Sequence, residues 1–165
     1  MIPKGENFLD NTEYRIESEE EVNTYLAQLR YALDAGAELN FQIERKVDEE
    51  RAEKYTNKYT VAYLFPDENP KNALKRELKK LTVQEYLRTV KDRRFPNRSE
   101  MREFGKVYNS NEEIYIKIRV ELLGKLGFGN HTTFVMSFHF AEKPFSEEIF
   151  PYRKESQNET NKNNQ

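Results

Sequence analysis

The sequence predicts a two-layer α+β fold, a mainly antiparallel sheet of four or five strands with two or three helices covering one face. Three observations lead there. An amphipathic helical pattern stands near the start, segments that alternate apolar and polar residues recur down the chain, and the last two of these flank a glycine-rich turn. A length of 165 residues suits one core better than two small ones, so residues 1–153 are read as one domain. Residues 1–13 are open to being a flexible lead-in, and "KESQNETNKNNQ" (154–165), with no apolar residue, reads as a disordered tail.

The helix is written in "SEEEVNTYLAQLRYALDAG". Ser18 and Glu21 have capping-box spacing, Val22, Tyr25, Leu26, Leu29 and Leu33 form one stripe, and Gly36 is the stop. In "LNFQIERKV" (39–47), Leu39, Phe41, Ile43 and Val47 alternate with polar residues, as a half-buried strand requires. "KYTVAYLF" repeats the device with Tyr59, Val61, Tyr63 and Phe65 on one face, and the polar run between reads as a long hairpin connection. Pro70 then suits the first position of a helix bearing Leu74, Leu78 and Leu81. Thr82 and Glu85 offer another capping box, predicting a further helix with Val83, Tyr86, Leu87 and Val90 that ends at "FPN". Ser99 to Gly105 reads as one short helical turn. "EIYIKIRVEL" and "TFVMSFHF" are strands: Ile114, Ile116, Ile118, Val120 and Leu122 share a face, and Phe134, Met136, Phe138 and Phe140 share another.

Composition removes several classes of function. There is no Cys, which excludes disulfides, thiolate zinc sites and a cysteine nucleophile, and two His are too few for a histidine-rich metal site. No apolar run approaches the roughly 20 residues that span a bilayer, nor does the start resemble a secretory signal. The expectation is a cytoplasmic protein with no metal, no cofactor and no membrane partner. The 11 Phe and 10 Tyr residues supply enough large side chains for a folded core despite 34% charged residues.

A net charge of −2 conceals segregation: residues 1–70 carry 16 acids against 8 cations, and residues 71–108 carry 12 cations against 5 acids. A basic block attracts anions even on an acidic molecule. Lys75, Lys79, Arg88, Arg93, Arg94, Arg98, Arg102 and Lys106, interleaved with Phe95, are therefore the candidate binding residues. They suit a nucleic-acid backbone held by charge beside a stacking ring, or an acidic or nucleoprotein partner. The competing arrangement is internal pairing, in which the same cations neutralise the acidic N-terminal part.

A second constellation arises if 114–122 pairs with 132–140 about a symmetric loop, so that partner numbers sum to about 254. Tyr115 then faces His139, Lys117 faces Ser137 and Arg119 faces Val135. His139, Tyr115, Lys117 and Arg119 are the residue types of metal-independent ribonucleases, in which a base takes the 2′-hydroxyl proton and cations stabilise the phosphorane. The outline is similar to the RelE-like and MqsR-like toxin nucleases in architecture, without a shared motif. A solvated sheet face carries the same residue types without catalysis, and such a face or an edge strand also serves protein interaction modules.

"RRFPNRSEMREFG", "EIYIKIRVEL" and "FVMSFHFAEKPF", across roughly 91–152, resemble small uncharacterised accessory proteins of Gram-positive plasmids, conjugative elements and phages. The resemblance assigns no role to any residue. It implies an accessory or host-modulating protein that works by binding, so the leading expectation is a non-enzymatic binding protein of a bacterial mobile element that engages nucleic acid or a nucleoprotein.

Overall fold

The computed structural model describes residues 12–45, 50–122 and 131–153. Its strands are β1 (Thr12–Arg15), β2 (Glu38–Phe41), β3 (Tyr86–Asp92), β4 (Met101–Tyr108), β5 (Glu112–Leu122) and β6 (His131–Phe140). Its helices are α1 (Glu19–Asp34), α2 (Asn57–Leu64) and α3 (Pro70–Leu78). One sheet runs in the order β1-β3-β4-β5-β6-β2, antiparallel throughout except for the parallel pair β2 and β6. The class is α+β as expected, but the sheet is larger than expected and mixed.

Chain geometry accounts for the mixed edge. β1 and β2 occupy opposite edges and are joined through α1, whose 16 residues extend about 24 Å at 1.5 Å per residue. Five inter-strand spacings of about 4.8 Å also span about 24 Å. α1 thus carries the chain from one edge of the sheet to the other. Its start is the expected capping box: Ser18 Oγ accepts from the Glu21 amide at 3.1 Å, and the Glu21 carboxylate accepts from the Ser18 amide at 3.2 Å. Gly36, with φ +88°, takes the left-handed conformation that ends it. Val22, Tyr25, Leu26, Leu29 and Leu33 are buried, each fully buried Leu contributing about 1.5–3 kcal/mol before entropy is counted. They pack with Leu74, Leu78 and Leu81 on Tyr86, Phe104, Ile114, Ile116, Ile118, Val135 and Phe138 of the sheet.

Four expected elements are corrected. The 39–47 strand stops at Phe41, where a turn tied by Arg45 N–H to the Gln42 carbonyl (3.1 Å) diverts the chain, while Lys46 and Val47 lie outside the described residues. "KYTVAYLF" is helical rather than a second strand of a hairpin. Thr56 caps α2 by accepting from the Tyr59 amide at 3.2 Å, and Tyr59 and Tyr63 stack one turn apart with centroids 6.3 Å from each other. α2 also completes the edge of β6 beyond the end of β2. The buried Asn57 accepts from the Phe138 amide and donates to the carbonyls of Gln42 and Met136, and Thr60 Oγ1 accepts from the Phe140 amide.

The Thr82–Glu85 box exists, but it closes only the 3₁₀ turn Val83–Glu85, after which Tyr86 opens β3. Thr89 and Val90 are β-branched and lie on opposite faces of the sheet, the period of a half-buried strand. The short helical turn expected at 99–105 is β4, with Arg102, Phe104 and Lys106 on the helix-covered side and Met101, Glu103 and Gly105 on the other. β1 had no expectation at all. The loop 123–130, the N-terminal lead-in up to residue 11 and the tail from 154 lie outside the described residues.

Candidate functional site

The basic segment 71–108 does not fold into one surface, which corrects the sequence reading of its cations as a single site. Lys75 lies on α3 and Lys79 caps its C-terminal end, both within the helical layer, and Lys79 pairs with Asp34 at 2.9 Å. Arg102 and Lys106 point to that same side, Arg102 to the buried Glu17 at 2.8 Å and over the Tyr25 ring at 4.3 Å, and Lys106 to Glu85 at 3.4 Å. Arg93 pairs with Glu13 and Arg94 with Asp92, both at 2.8 Å, in the β3–β4 turn. Internal pairing therefore absorbs most of the block. On the uncovered face of the sheet lie Arg88, itself paired with the buried Glu103 at 2.6 Å, and Phe95 with Arg98 over its ring.

The uncovered face instead gathers cations that are distant in sequence. A cleft of about 570 Å³ is lined by Arg45, Arg51, Arg88, Lys117 and Lys143 with Tyr115, Ser137, His139, Ala141 and Phe145, and Glu142 is its one acidic lining residue. A flat hollow of about 620 Å³ also exists, but it is lined by Glu19, Glu20, Asn23, Thr24 and Ala27 of α1 alone, with no second element converging on it. Chemistry at the sheet face has the converging groups that chemistry on one helix flank lacks.

Register brings these residues together. Tyr115 lies opposite His139 and Lys117 opposite Ser137, as the sequence implies, but Arg119 lies opposite Phe134 rather than Val135. Met136 is the extra residue of a bulge, which turns Val135 into the core opposite Ile118 and leaves Phe134 on the open face under the Arg119 guanidinium, 4.7 Å from the ring centroid. The expected shared face of Phe134, Met136, Phe138 and Phe140 is therefore broken. A single inserted residue reverses every side chain beyond it.

Arg45 and Arg51 were not among the sequence-derived candidates. Arg45 leaves the end of β2 and returns over the sheet, donating to the Met136 carbonyl and to Ser137 Oγ, both at 3.2 Å. Arg51 donates to His139 Nε2 at 3.1 Å and pairs with Glu142 at 3.0 Å. Nδ1 of His139 faces the Phe140 carbonyl at 2.9 Å and so carries the proton, which leaves Nε2 as the acceptor turned toward Arg51 and the cleft. Burial, reinforced by the neighbouring Arg51 and Arg45 charges, holds the imidazole pKa below its ordinary value.

Beneath the cleft, the buried Glu103 accepts from Arg88 Nε at 2.6 Å and from the Tyr115 hydroxyl at 2.7 Å. Burial and this carboxylate push the Tyr115 phenol well above its ordinary range, so Tyr115 stays protonated as a donor. Lys117 is half-buried, and its ammonium makes no hydrogen bond or ion pair with any described residue. Desolvation lowers its pKa, and the nearby Arg45 and Arg88 charges add to that effect against the pull of Glu103. An anion beside it would remove that penalty.

The cleft is walled by both ends of the face. Toward the β3–β4 turn, a smaller hollow of about 150 Å³ is lined by Arg45, Asp92, Phe95, Arg98, Ser99, Met101, Arg119 and Met136. Phe95 is 42% exposed there, with the Arg98 guanidinium 4.2 Å above its ring. At the other end the segment after β6 crosses the sheet. The Ala141 amide donates to the Glu113 carbonyl and the Phe145 amide to the Glu113 carboxylate, both at 2.9 Å. The Phe145 and Phe150 rings then seat on Gly105, where a Cβ would meet them at 2.9–3.0 Å.

Among the described residues no group of three or more His, Asp or Glu side chains has an arrangement able to hold a metal ion. No helix of the described residues is long and apolar enough to cross a membrane. Neither protein-family models, nor curated proteins, nor solved structures match the chain when compared with it.

Proposed function

We propose that this chain is a non-enzymatic binding protein that holds the phosphate backbone of a nucleic acid on the open face of its sheet, with the regulatory role expected of an accessory protein of a bacterial mobile element. The observation that carries the reading is the convergence of Arg45 and Arg51 from the β2–α2 connection, Arg88 from β3 and Lys117 from β5 on one cleft with a half-buried lysine at its floor. Phosphodiester oxygens are the abundant ligand that matches several converging cations. Three arginine–aromatic stacks border the same face, Arg88 on Tyr14 at 4.0 Å, Arg98 on Phe95 and Arg119 on Phe134. Each presents a cation next to a ring edge or free ring face, the combination that grips single strands without reading sequence. The test is fluorescence anisotropy with labelled single- and double-stranded DNA and RNA across a salt series. Binding that weakens steeply with salt, and that is about tenfold or more weaker in Lys117→Met, supports the reading; no binding at low salt removes it.

A second reading has its own observation. The neutral His139 offers Nε2 toward the cations of the same cleft, which is the placement a general base needs in metal-independent cleavage of RNA. Incubating labelled RNA in EDTA decides it: cleavage that disappears in His139→Ala makes the protein a ribonuclease, and intact RNA that remains bound leaves the binding reading alone.

A further inference from the structure

We infer that the cleft takes the phosphorylated end of a single strand, a phosphate monoester, rather than an internal stretch of backbone; this rests on the nucleic-acid reading above. The first argument is that the floor has a closed end. The segment after β6 runs over β5 to β4 on the open face, fastened by the Ala141 and Phe145 amides on Glu113 and by two rings on Gly105, before Tyr152 turns to the helix-covered side and stacks on Tyr86. Phe150 is 1% exposed, and the contacts a Cβ would make at Gly105 show that ring and sheet already touch. No strand passes between them. A backbone lying along the face must stop at Phe145, against which the cationic cleft is built.

The second argument is charge. A phosphate monoester carries about −1.5 to −2 charges at neutral pH and three terminal oxygens, whereas an internal diester carries one charge and two. The closed end presents Arg45, Arg51, Arg88, Lys117 and Lys143 against Glu142 and the buried Glu103 beneath it, an excess of three positive charges where one diester supplies a single negative one. Lys117 is the group at that floor with no hydrogen bond or ion pair to a described residue, and Ser137 Oγ and Arg45 lie beside it.

The third argument is direction. Arg45 lines both the deep cleft and the smaller hollow, so the two adjoin across its side chain, and the hollow extends toward Phe95, Met101 and Met136. Cations line both ends, and the open one adds the Phe95 ring, Met101 and Met136, the stackable surface that the closed end lacks. A terminal phosphate seated by Lys117 places its own base toward Phe95 and lets the rest of the strand leave over the β3–β4 turn.

The experiment compares, by anisotropy at fixed salt, one oligonucleotide sequence carrying a 5′-phosphate, a 3′-phosphate or hydroxyls at both ends, and the same sequence circularised, with a nucleoside monophosphate and inorganic phosphate as competitors. The expected result is at least tenfold tighter binding of one phosphorylated end than of the hydroxyl-ended or circular strand. That preference should disappear in Lys117→Met and in Arg45→Met and persist in Lys71→Ala, on the exposed first turn of α3. Equal affinity for all four strands overturns the inference while leaving the nucleic-acid reading intact. No binding of any strand overturns both. A nucleoside monophosphate that binds as tightly as the phosphorylated strand assigns the cleft to mononucleotides and overturns the strand-end reading.

Discussion

Replacing Glu103 by Gln should move stability and anion binding in opposite directions. Glu103 is 2% exposed and accepts from Arg88 Nε at 2.6 Å and the Tyr115 hydroxyl at 2.7 Å, so it is the buried counter-charge beneath the cleft. Gln keeps the shape and one carbonyl acceptor but removes the charge. A hydrogen bond to a charged group contributes about 1.5–3 kcal/mol and a neutral one about 0.5–1.5. The guanidinium of Arg88 is 45% exposed and regains water, which holds the loss to about 1–2 kcal/mol. In urea, with a slope of about 2 kcal/mol per M, the midpoint should fall by about 0.5–1 M. The cleft meanwhile loses a negative charge and Arg88 loses its internal partner. Affinity for a single strand at low salt should rise by about three- to tenfold, and the salt slope should steepen by about 0.7, the increment for one added phosphate contact. Urea melts and anisotropy on the same preparations measure both. A stably folded variant that binds more weakly than the parent would refute the reasoning, because Glu103 would then be holding the ligand rather than opposing it.

Gly105→Ala places a methyl 2.9–3.0 Å from the Phe150 and Phe145 rings, and overpacking of this kind should cost about 1–3 kcal/mol in a urea melt; an unchanged midpoint would mean that the rings are not seated there. Asn57→Ala leaves the Phe138 amide and the Gln42 carbonyl without their side-chain partner and takes one of two donors from the Met136 carbonyl, so a loss of about 2–4 kcal/mol is expected in the same assay. His139 contributes a pH dependence of defined sign. Its folded pKa lies below the unfolded value, so as pH falls through about 6.5 the unfolded chain takes the proton first and stability is lost. The charged groups facing the ring are Arg51, Arg45 and Glu142; the hydrogen bond to the Phe140 carbonyl and the Glu142 carboxylate oppose that direction, and burial outweighs them. Comparing urea midpoints at pH 7.5 and 5.5 should show a larger fall in the parent than in His139→Gln, and equal falls would contradict the burial of a neutral imidazole.

Periodicity exposed the elements whose local signals and tertiary surroundings agree. The α1 stripe and its Ser18–Glu21 box, and the β5–β6 register from Tyr115 through Lys117, were readable because each repeats one period without interruption. Where one residue breaks the period, reading failed: Met136 shifts β6 so that Phe134 rather than Val135 meets Arg119. Local capping chemistry also misled, since the Thr82–Glu85 box is real yet serves a 3₁₀ turn whose continuation is claimed by the sheet. "KYTVAYLF" alternates like a strand, but the Asn57 and Thr60 side chains satisfy the β6 edge only from a helix. The four-residue spacing of Tyr59 and Tyr63 after a Thr-Asn start was the available clue. The cleft was partly legible through His139, Tyr115, Lys117 and Arg88. Arg45 and Arg51 were not, because their arrival over β6 follows from the parallel placement of β2, which no local pattern encodes.

The most direct measurement is the salt dependence of single-strand binding in the parent, in Lys117→Met and in Arg45→Met. If the open face neutralises about three or four phosphates, log K against log salt should fall with a slope of about −2 to −3. Each substitution should flatten the slope by about 0.7 and weaken binding about tenfold or more at low salt. A parent that does not bind, or variants that bind with the affinity and slope of the parent, would contradict the assignment of the open sheet face as the binding site.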